Sequence, residues 1–179
     1  MNLSLKIFSA FGIPVRLHIT MLIIPVFVYG LDFGPVSTTT AMAVALALSV
    51  LLFGSVLAHE FGHALMARRY GVHTADIVLT PLGGMARMQS IPEKAGPEIF
   101  IALAGPLVSF AIALLSFSVM RQGVVTIPGI AAAIAQILFQ LNLMLGLFNL
   151  VPALPMDGGR IFRGALSLKF GFLKATAIA

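Results

Sequence analysis

Long apolar runs separated by short polar stretches dominate the chain. A membrane-spanning helix needs about 20 mostly apolar residues, and four runs reach that length, at 13–31, 40–66, 98–120 and 128–150. Pro14, His18 and Pro25 interrupt the first of them. The pattern predicts an all-α polytopic membrane protein with at least four transmembrane helices.

A shorter pattern lies between the second and third runs. Residues 78–80 and 83–88 flank Pro81 and form two short segments that predict a β-hairpin around a turn. At membrane depth, backbone outside a helix must be hydrogen-bonded by protein or water. We therefore expect the hairpin at the cytoplasmic side of the membrane or tucked into the helix bundle.

Composition supports the membrane class. Hydrophobic residues make up 59% of the 179 positions and charged residues only 9%, whereas soluble domains carry about 25% charged residues. The net charge is +5, but the chain has no arginine-rich helix or aromatic platform, so we expect a lipid bilayer and no nucleic acid as partner. We expect residues 1–179 to form a single core domain. An apolar run starting near Phe172 predicts a further helix shortened at the C-terminus.

The distribution of cations predicts the orientation in the cell membrane. Of the eleven Lys and Arg residues, only Arg121 falls on one side of the predicted spans. The other ten fall on the opposite side, which the positive-inside rule assigns to the cytoplasm. We therefore expect a multi-pass protein with a cytoplasmic N-terminus, and we expect the loop near Asp32 and the turn near Gly123 outside.

The second apolar run ends in the motif HEFGH, which spans His59 to His63. Positions i and i+4 of a helix share one face, so both histidines can bind the same ion. Glu60 lies beside them, where it can take a proton from water. This spacing is typical of zinc metalloproteases, with two ligands and a general base. A charged group at membrane depth is costly, so two unused surface histidines beside Glu60 are the weaker interpretation.

A catalytic zinc site usually has three protein ligands and one open position, so a third ligand is needed. The chain has no cysteine, which excludes a thiolate. The other candidates are His18, His73, Asp32, Asp76, Glu93, Glu98 and Asp157.

Five of these candidates are weak. Asp32 is expected on the wrong face, and we interpret His73 as exposed in a loop. The acidic residues Asp76, Glu93 and Glu98 fall among basic loop residues, which is typical of solvated charge.

Asp157 is the favoured third ligand. It follows Pro152 and Pro155, which end the fourth apolar run, and precedes two glycines that permit a tight turn. Its predicted depth matches that of His59, which places the site near the cytoplasmic face. Taken alone, Asp157 could equally be a helix-end or turn aspartate beside glycine, but the two-histidine site needs a carboxylate.

The paired motifs resemble the site-2 proteases, a family of intramembrane zinc metalloproteases. The matching segments are HEFGH at 59–63 and NLVPALPMDGGR at 149–160, supported by GIPVRLHIT at 12–20, LTPLGGMARM at 79–88 and ALAGPLVSF at 102–110. The resemblance covers nearly the whole chain. It is closest to the compact microbial branch without an inserted PDZ domain.

The resemblance implies specific roles. His59, His63 and Asp157 would bind one Zn²⁺, and Glu60 would be the catalytic base. Asn149, eight residues before the aspartate as in the family pattern, would position substrate or stabilise the oxyanion.

For two further polar residues, alternatives stay open. Asn142 either faces the site or forms an interhelical hydrogen bond. His18 either lies near the entrance of the active site, as the family resemblance suggests, or is a satisfied interfacial residue.

The expected activity is peptide hydrolysis within or near the transmembrane segment of membrane-anchored proteins, as in regulated intramembrane proteolysis. The substrate would be a single-span membrane protein, unwound locally and paired with the edge of the hairpin. Two other hypotheses use the same residues. The chain could be a membrane metal-binding or transport protein, although its ligands cluster toward one face, or an inactive scaffold, against which the intact Glu60 argues. No oligomeric state is predicted.

Overall fold

The computed structural model describes residues 3–31, 37–81, 83–88, 94–121 and 129–178. In that part of the chain, four strands form one sheet: β1 (Ser4–Ala10), β2 (Ile13–His18), β3 (Thr74–Thr80) and β4 (Gly83–Met88). The helices are α1 (Ile23–Tyr29), α2 (Thr38–Arg69), α3 (Ala95–Arg121), α4 (Gly129–Asn149), α5 (Asp157–Phe170) and α6 (Phe172–Ile178). A short 3₁₀ helix, Ile19–Leu22, joins β2 to α1.

Three of these helices are long and apolar enough to cross a membrane, namely α2, α3 and α4 from Ala131 onward. They confirm the helices predicted from the second, third and fourth apolar runs. The hydroxyl of Ser37 caps α2 by accepting the backbone N–H of Thr40 at 3.2 Å. The prediction of a mostly helical membrane protein with a small sheet is therefore confirmed. The loop near Asp32 and the turn near Gly123 lie outside the described residues.

The first predicted span does not form one long helix. Residues 13–18 form strand β2, and only a short apolar helical segment follows, from Ile19 to Tyr29. Apolar and polar residues alternate in IPVRLH, and Ile13 and Val15 are buried while Pro14 and Arg16 are not. That alternation is typical of a strand with one face on the core. The helix prediction was wrong because it counted apolar residues and ignored this period of two.

The sheet has the order β1-β2-β3-β4. β1 and β2 form an antiparallel hairpin around Phe11 and Gly12, which both have positive φ. β2 then pairs in parallel with β3, with Val15 opposite Ile77, and β3 pairs antiparallel with β4. The predicted hairpin of β3 and β4 is confirmed, and β4 is the terminal strand of the sheet.

The sheet packs against the second half of α2. Its apolar side chains Ile13, Val15, Ile77 and Leu79 form one buried cluster with Ala64 of α2. This packing places the sheet alongside the HEFGH segment. On another face of α2, a Cβ at Gly62 would lie 2.6 Å from the carbonyl oxygen of Ala104 in α3. Glycine therefore permits the close approach of α2 and α3.

Candidate metal centre

Helix α2 presents His59 and His63 on one face, one turn apart. Both side chains are buried, at 3% and 4% exposure, and their rings meet edge to face with centroids 4.8 Å apart. The i, i+4 spacing of the sequence thus becomes a pair of imidazoles directed into the protein. The Nε2 atoms of the two rings are 3.1 Å apart.

Asp157 completes the cluster from α5. Its Oδ2 lies 3.1 Å from His59 Nε2 and 3.0 Å from His63 Nε2. Asp157 occupies the first turn of α5, so the glycines that follow it are part of a helix and do not form a tight turn. The two following glycines are buried in that helix. A Cβ at Gly159 would lie 2.5 Å from the backbone of Ala153 and Leu154, so glycine is needed there for close packing.

Helix α3 orients both imidazoles through their other nitrogens. His63 Nδ1 donates to the carbonyl oxygen of Ile101 at 2.7 Å, and His59 Nδ1 lies 3.0 Å from the hydroxyl of Ser109. A carbonyl can only accept, so the neutral His63 ring carries its proton on Nδ1 and its lone pair on Nε2. That lone pair faces a carboxylate oxygen and the second imidazole. Such a group of electron donors calls for a cation at its centre.

The three donor atoms suit a zinc ion in spacing and in chemistry. Histidine nitrogen and carboxylate oxygen are ordinary zinc ligands, and at metal–ligand distances of about 2.0–2.1 Å a tetrahedral site separates its donors by about 3.3 Å. The observed separations are 3.0–3.1 Å. His59, His63 and Asp157 can therefore hold one metal ion.

Gly105 of α3 leaves the space in front of these donors open. A Cβ at this position would lie 2.6 Å from His59 Nε2 and closer still to His63 Nε2. Any other residue would place its Cβ against the ligand nitrogens of both histidines. Gly105 and Ser109 lie in the segment ALAGPLVSF at 102–110, but their roles were not predicted. The only sequence signal was a run of small residues on an apolar helix.

Glu60, next to His59 in α2, contacts strand β4 of the sheet. Its Oε2 accepts the backbone N–H of Ala86 in β4 at 3.1 Å. A Cβ at Gly84 would lie 2.9 Å from Glu60 Oε1 and 2.8 Å from its Cδ, so β4 crosses directly over this side chain. The carboxylate is thus held by the terminal strand, one residue along the chain from a cluster histidine.

The two asparagines of α4 differ in placement. Asn142 is fully buried and donates to the hydroxyl of Ser55 in α2 at 2.9 Å. The interhelical alternative is therefore the one observed for Asn142. Asn149 is half-buried and donates to the carbonyl of Leu145, one turn earlier in its own helix, at 2.9 Å.

Two acidic residues predicted to be solvated are buried in ion pairs instead. Asp76 is 4% exposed; it accepts from Arg87 Nε at 2.5 Å and pairs with Arg16 Nε at 3.0 Å. The Arg87 hydrogen bond holds the pKa of Asp76 below its ordinary value, and the charges of both arginines add to this effect against the opposing effect of burial. Glu98 pairs with Arg163.

Of the remaining candidate ligands, those in the described part of the chain are not members of the cluster. His18 Nδ1 contacts the hydroxyl of Thr20 at 2.7 Å, so it is a satisfied polar residue. His73 is exposed, as predicted. Asp32 and Glu93 lie outside the described residues.

Known proteins are similar to this chain in sequence and in fold. The model of the family described as Peptidase family M50 matches residues 47–128 and 122–178. The zinc metalloprotease MJ0392 of Methanocaldococcus jannaschii is 45% identical over 179 residues, which is 100% of this chain and 50% of the relative. The chain spans about half the length of the curated relatives it matches.

A solved structure agrees with the sequence relatives. The site-2 protease from Methanocaldococcus jannaschii superimposes with a TM-score of 0.71 at 42% identity, over 98% of this chain and 77% of that structure. This likeness confirms the resemblance to site-2 proteases drawn from the paired motifs. On these matches and the geometry of its buried histidine and aspartate cluster, the chain belongs to peptidase family M50.

Proposed function

We propose that the chain is the core of an intramembrane zinc metalloprotease that hydrolyses peptide bonds within or near the transmembrane segment of membrane-anchored proteins. The observation that carries the proposal is the convergence of His59, His63 and Asp157 within hydrogen-bond distance of one another, next to Glu60. Relatives named as zinc metalloproteases support it.

In this proposal His59, His63 and Asp157 are the metal ligands. A bound zinc would supply a Lewis acid that polarises the scissile carbonyl and lowers the pKa of water toward about 7. The protein keeps the ligands in place through α3, where Ile101 and Ser109 hold the far side of each imidazole. Such outer partners fix the orientation of a ligand and its tautomer.

Glu60 is the proposed general base. It takes a proton from the attacking water and later delivers it to the leaving amine. Its carboxylate needs a fixed orientation for this proton transfer. The Ala86 N–H donates a hydrogen bond to it, and Gly84, which has no side chain, packs closely against it. Asn149 is the proposed aid to substrate positioning or oxyanion stabilisation. It would have to exchange its present bond to Leu145 for one to substrate.

Strand β4 is the proposed docking edge for substrate. A helical segment hides its peptide bonds, so a substrate must become extended before attack. β4 is the terminal strand of the sheet, and it lies over Glu60. An extended segment pairing with that edge would satisfy its own backbone groups and would lie beside the base. A single-span membrane protein is the substrate class that fits this requirement.

The distribution of cations supports the proposed orientation in the membrane. Arg68 and Arg69 end α2 a turn beyond the histidine motif, and the sheet carries Lys6, Arg16 and Arg87. The positive-inside rule puts this end of the molecule in the cytoplasm. The proposal therefore places a multi-pass protein in the cell membrane, with a cytoplasmic N-terminus and a metal site reached by water near the cytoplasmic face.

Three purified proteins test the proposal: the wild type, Glu60→Gln and Asp157→Ala. Bound zinc and cleavage of single-span substrates are measured for each. We expect zinc with cleavage in the wild type, zinc without cleavage in Glu60→Gln, and weakened zinc without cleavage in Asp157→Ala. Normal cleavage by Glu60→Gln, free of contaminating proteases, would refute the mechanism. Zinc flux into liposomes without cleavage would favour a transporter instead.

A further inference from the structure

A buried ion pair connects α3 to α5 away from the metal ligands. Glu98, in the first turn of α3, is 0% exposed, and its Oε1 accepts from Arg163 Nε of α5 at 2.8 Å. A second nitrogen of the same guanidinium also donates to Oε1. The Arg163 guanidinium additionally lies over the ring of Phe172, 5.1 Å from its centroid. The pair is thus enclosed by three helices.

Stability alone does not account for this pair. Two charges taken out of water lose hydration that their attraction often fails to restore, and an apolar pair of similar volume is commonly as stable or more so. Within the described residues, Glu98 Oε2 is buried without a hydrogen-bond partner, which adds to the cost. A contact between a carboxylate and a planar guanidinium is directional, whereas apolar packing is not. It therefore allows only one register of α5 against α3.

That register determines where the metal-binding carboxylate lies. Arg163 follows Asp157 by six residues on α5, so the helical backbone links the position of one side chain to the position of the other. Near the ion pair, a Cβ at Gly164 would lie 2.6 Å from Ile99 Cγ1, so α5 meets α3 closely at this point. α3 is also the helix that orients both imidazoles. The ion pair therefore joins the helix carrying the aspartate to the helix that orients the histidines.

We propose that Glu98 and Arg163 are positioning residues for the metal site: their buried pair sets the register of α5 on α3 and so holds Asp157 Oδ2 against the two histidines. The inference rests on the proposed function, since it assumes that Asp157 is a metal ligand. Neither residue contacts the cluster. They act through the backbone of α5, because Arg163 and Asp157 are separated by about two turns of that helix.

The test measures zinc affinity of the full chain in detergent micelles, by competition with a chromophoric chelator. Breaking the pair in Glu98→Gln or Arg163→Gln should raise the zinc Kd about 10-fold, the lower end of the range for outer-shell changes. The double variant should be no weaker than either single variant, because both singles lose the same contact. Lys169→Gln removes an exposed cation from the same helix and should leave the Kd within about twofold.

A structural role and a positioning role give different results. Loss of stability alone would lower Tm equally with and without zinc, whereas lost positioning shrinks the zinc-induced rise in Tm. The visible spectrum of the Co²⁺-substituted protein should also change in Glu98→Gln and stay unchanged in Lys169→Gln, because it reports ligand geometry. If a glutamine variant does not fold, Arg163→Lys keeps the charge without the planar fork and should show the same effects more weakly.

The outcomes separate this inference from the proposed function. Wild-type zinc binding that survives His59→Ala would refute the metal site itself. A different result would refute the positioning role and leave the metal site standing. In that case His59→Ala loses zinc binding, whereas folded Glu98→Gln and Arg163→Gln keep both the wild-type zinc affinity and the wild-type Co²⁺ spectrum.

Discussion

The Gly105→Ala substitution places a methyl group against the ligand nitrogens of both histidines. Its Cβ would lie 2.6 Å from His59 Nε2 and 2.5 Å from His63 Cε1, with His63 Nε2 closer still. Ordinary contacts of a Cβ begin at 3.4 Å, so the His59 nitrogen alone must retreat by about 0.8 Å, from 2.6 Å to 3.4 Å. The imidazoles cannot retreat freely, because Ile101 and Ser109 hold their far sides.

The size of the effect follows from the tolerance of metal sites. Ligand distances in such sites vary by only about 0.2 Å, several times less than the displacement that the methyl group requires. Changes outside the ligand set cost about 10–100-fold in metal affinity. Because this methyl group would lie against the ligand nitrogens of both histidines, we expect Gly105→Ala to weaken zinc binding by at least about 100-fold.

Gly96→Ala is the matched control. It adds the same methyl group to the same helix, at a position with no atom within 4 Å of the new Cβ. Alanine favours a helix over glycine by about 0.8–1.0 kcal/mol, so neither variant should lose helicity through propensity. Zinc content after dialysis, Kd by chelator competition and helicity by circular dichroism are measured on both. Gly105→Ala with wild-type zinc affinity would refute the assigned convergence of ligands around this glycine.

Three further predictions concern residues around the site. Gly84→Ala should lower kcat at unchanged zinc content, because its Cβ would lie 2.9 Å from Glu60 Oε1; an unchanged kcat would contradict a base held by β4. Arg87 lowers the pKa of Asp76, so the ionised Asp76 carboxylate should stabilise the folded protein. This contribution should be fully present above the unfolded-state pKa near 3.8 and should be lost as the pH falls through the lower folded-state pKa. Thermal unfolding of Asp76→Asn and wild type should therefore differ at pH 7 and converge in acid; a constant difference would contradict this. Asn142→Leu should lower the free energy of unfolding by about 0.6 kcal/mol through loss of its interhelical hydrogen bond, measured by denaturant titration, and a stabilised variant would contradict it.

Local sequence signals predicted the long helices and the common face of the two histidines. Unbroken apolar runs determine α2, α3 and α4, because each exceeds the thickness of a hydrocarbon layer without help from other segments. The spacing of His59 and His63 fixes their common face as soon as the segment is helical. Asp157 was predicted by elimination, as an isolated carboxylate after two helix-breaking prolines.

Long-range contacts account for what the sequence did not reveal. β2 forms because it pairs with β3, whose residues lie some sixty positions later in the chain, with Val15 opposite Ile77. The burial of Glu98 depends on Arg163, which lies 65 residues away in the sequence. The residues near Glu98 in the sequence do not indicate that partner. The helical conformation around Asp157 was missed for a similar reason. Its glycines serve close packing against residues 150–154, and from sequence alone such glycines resemble a turn.

Crystallography of the zinc-loaded protein, with anomalous data at the zinc edge, would locate the metal ion directly. We expect one anomalous peak bounded by His59 Nε2, His63 Nε2 and a carboxylate oxygen of Asp157, each at about 2.0–2.2 Å. A peak elsewhere, or one at the two histidines with the Asp157 side chain directed away, would contradict it.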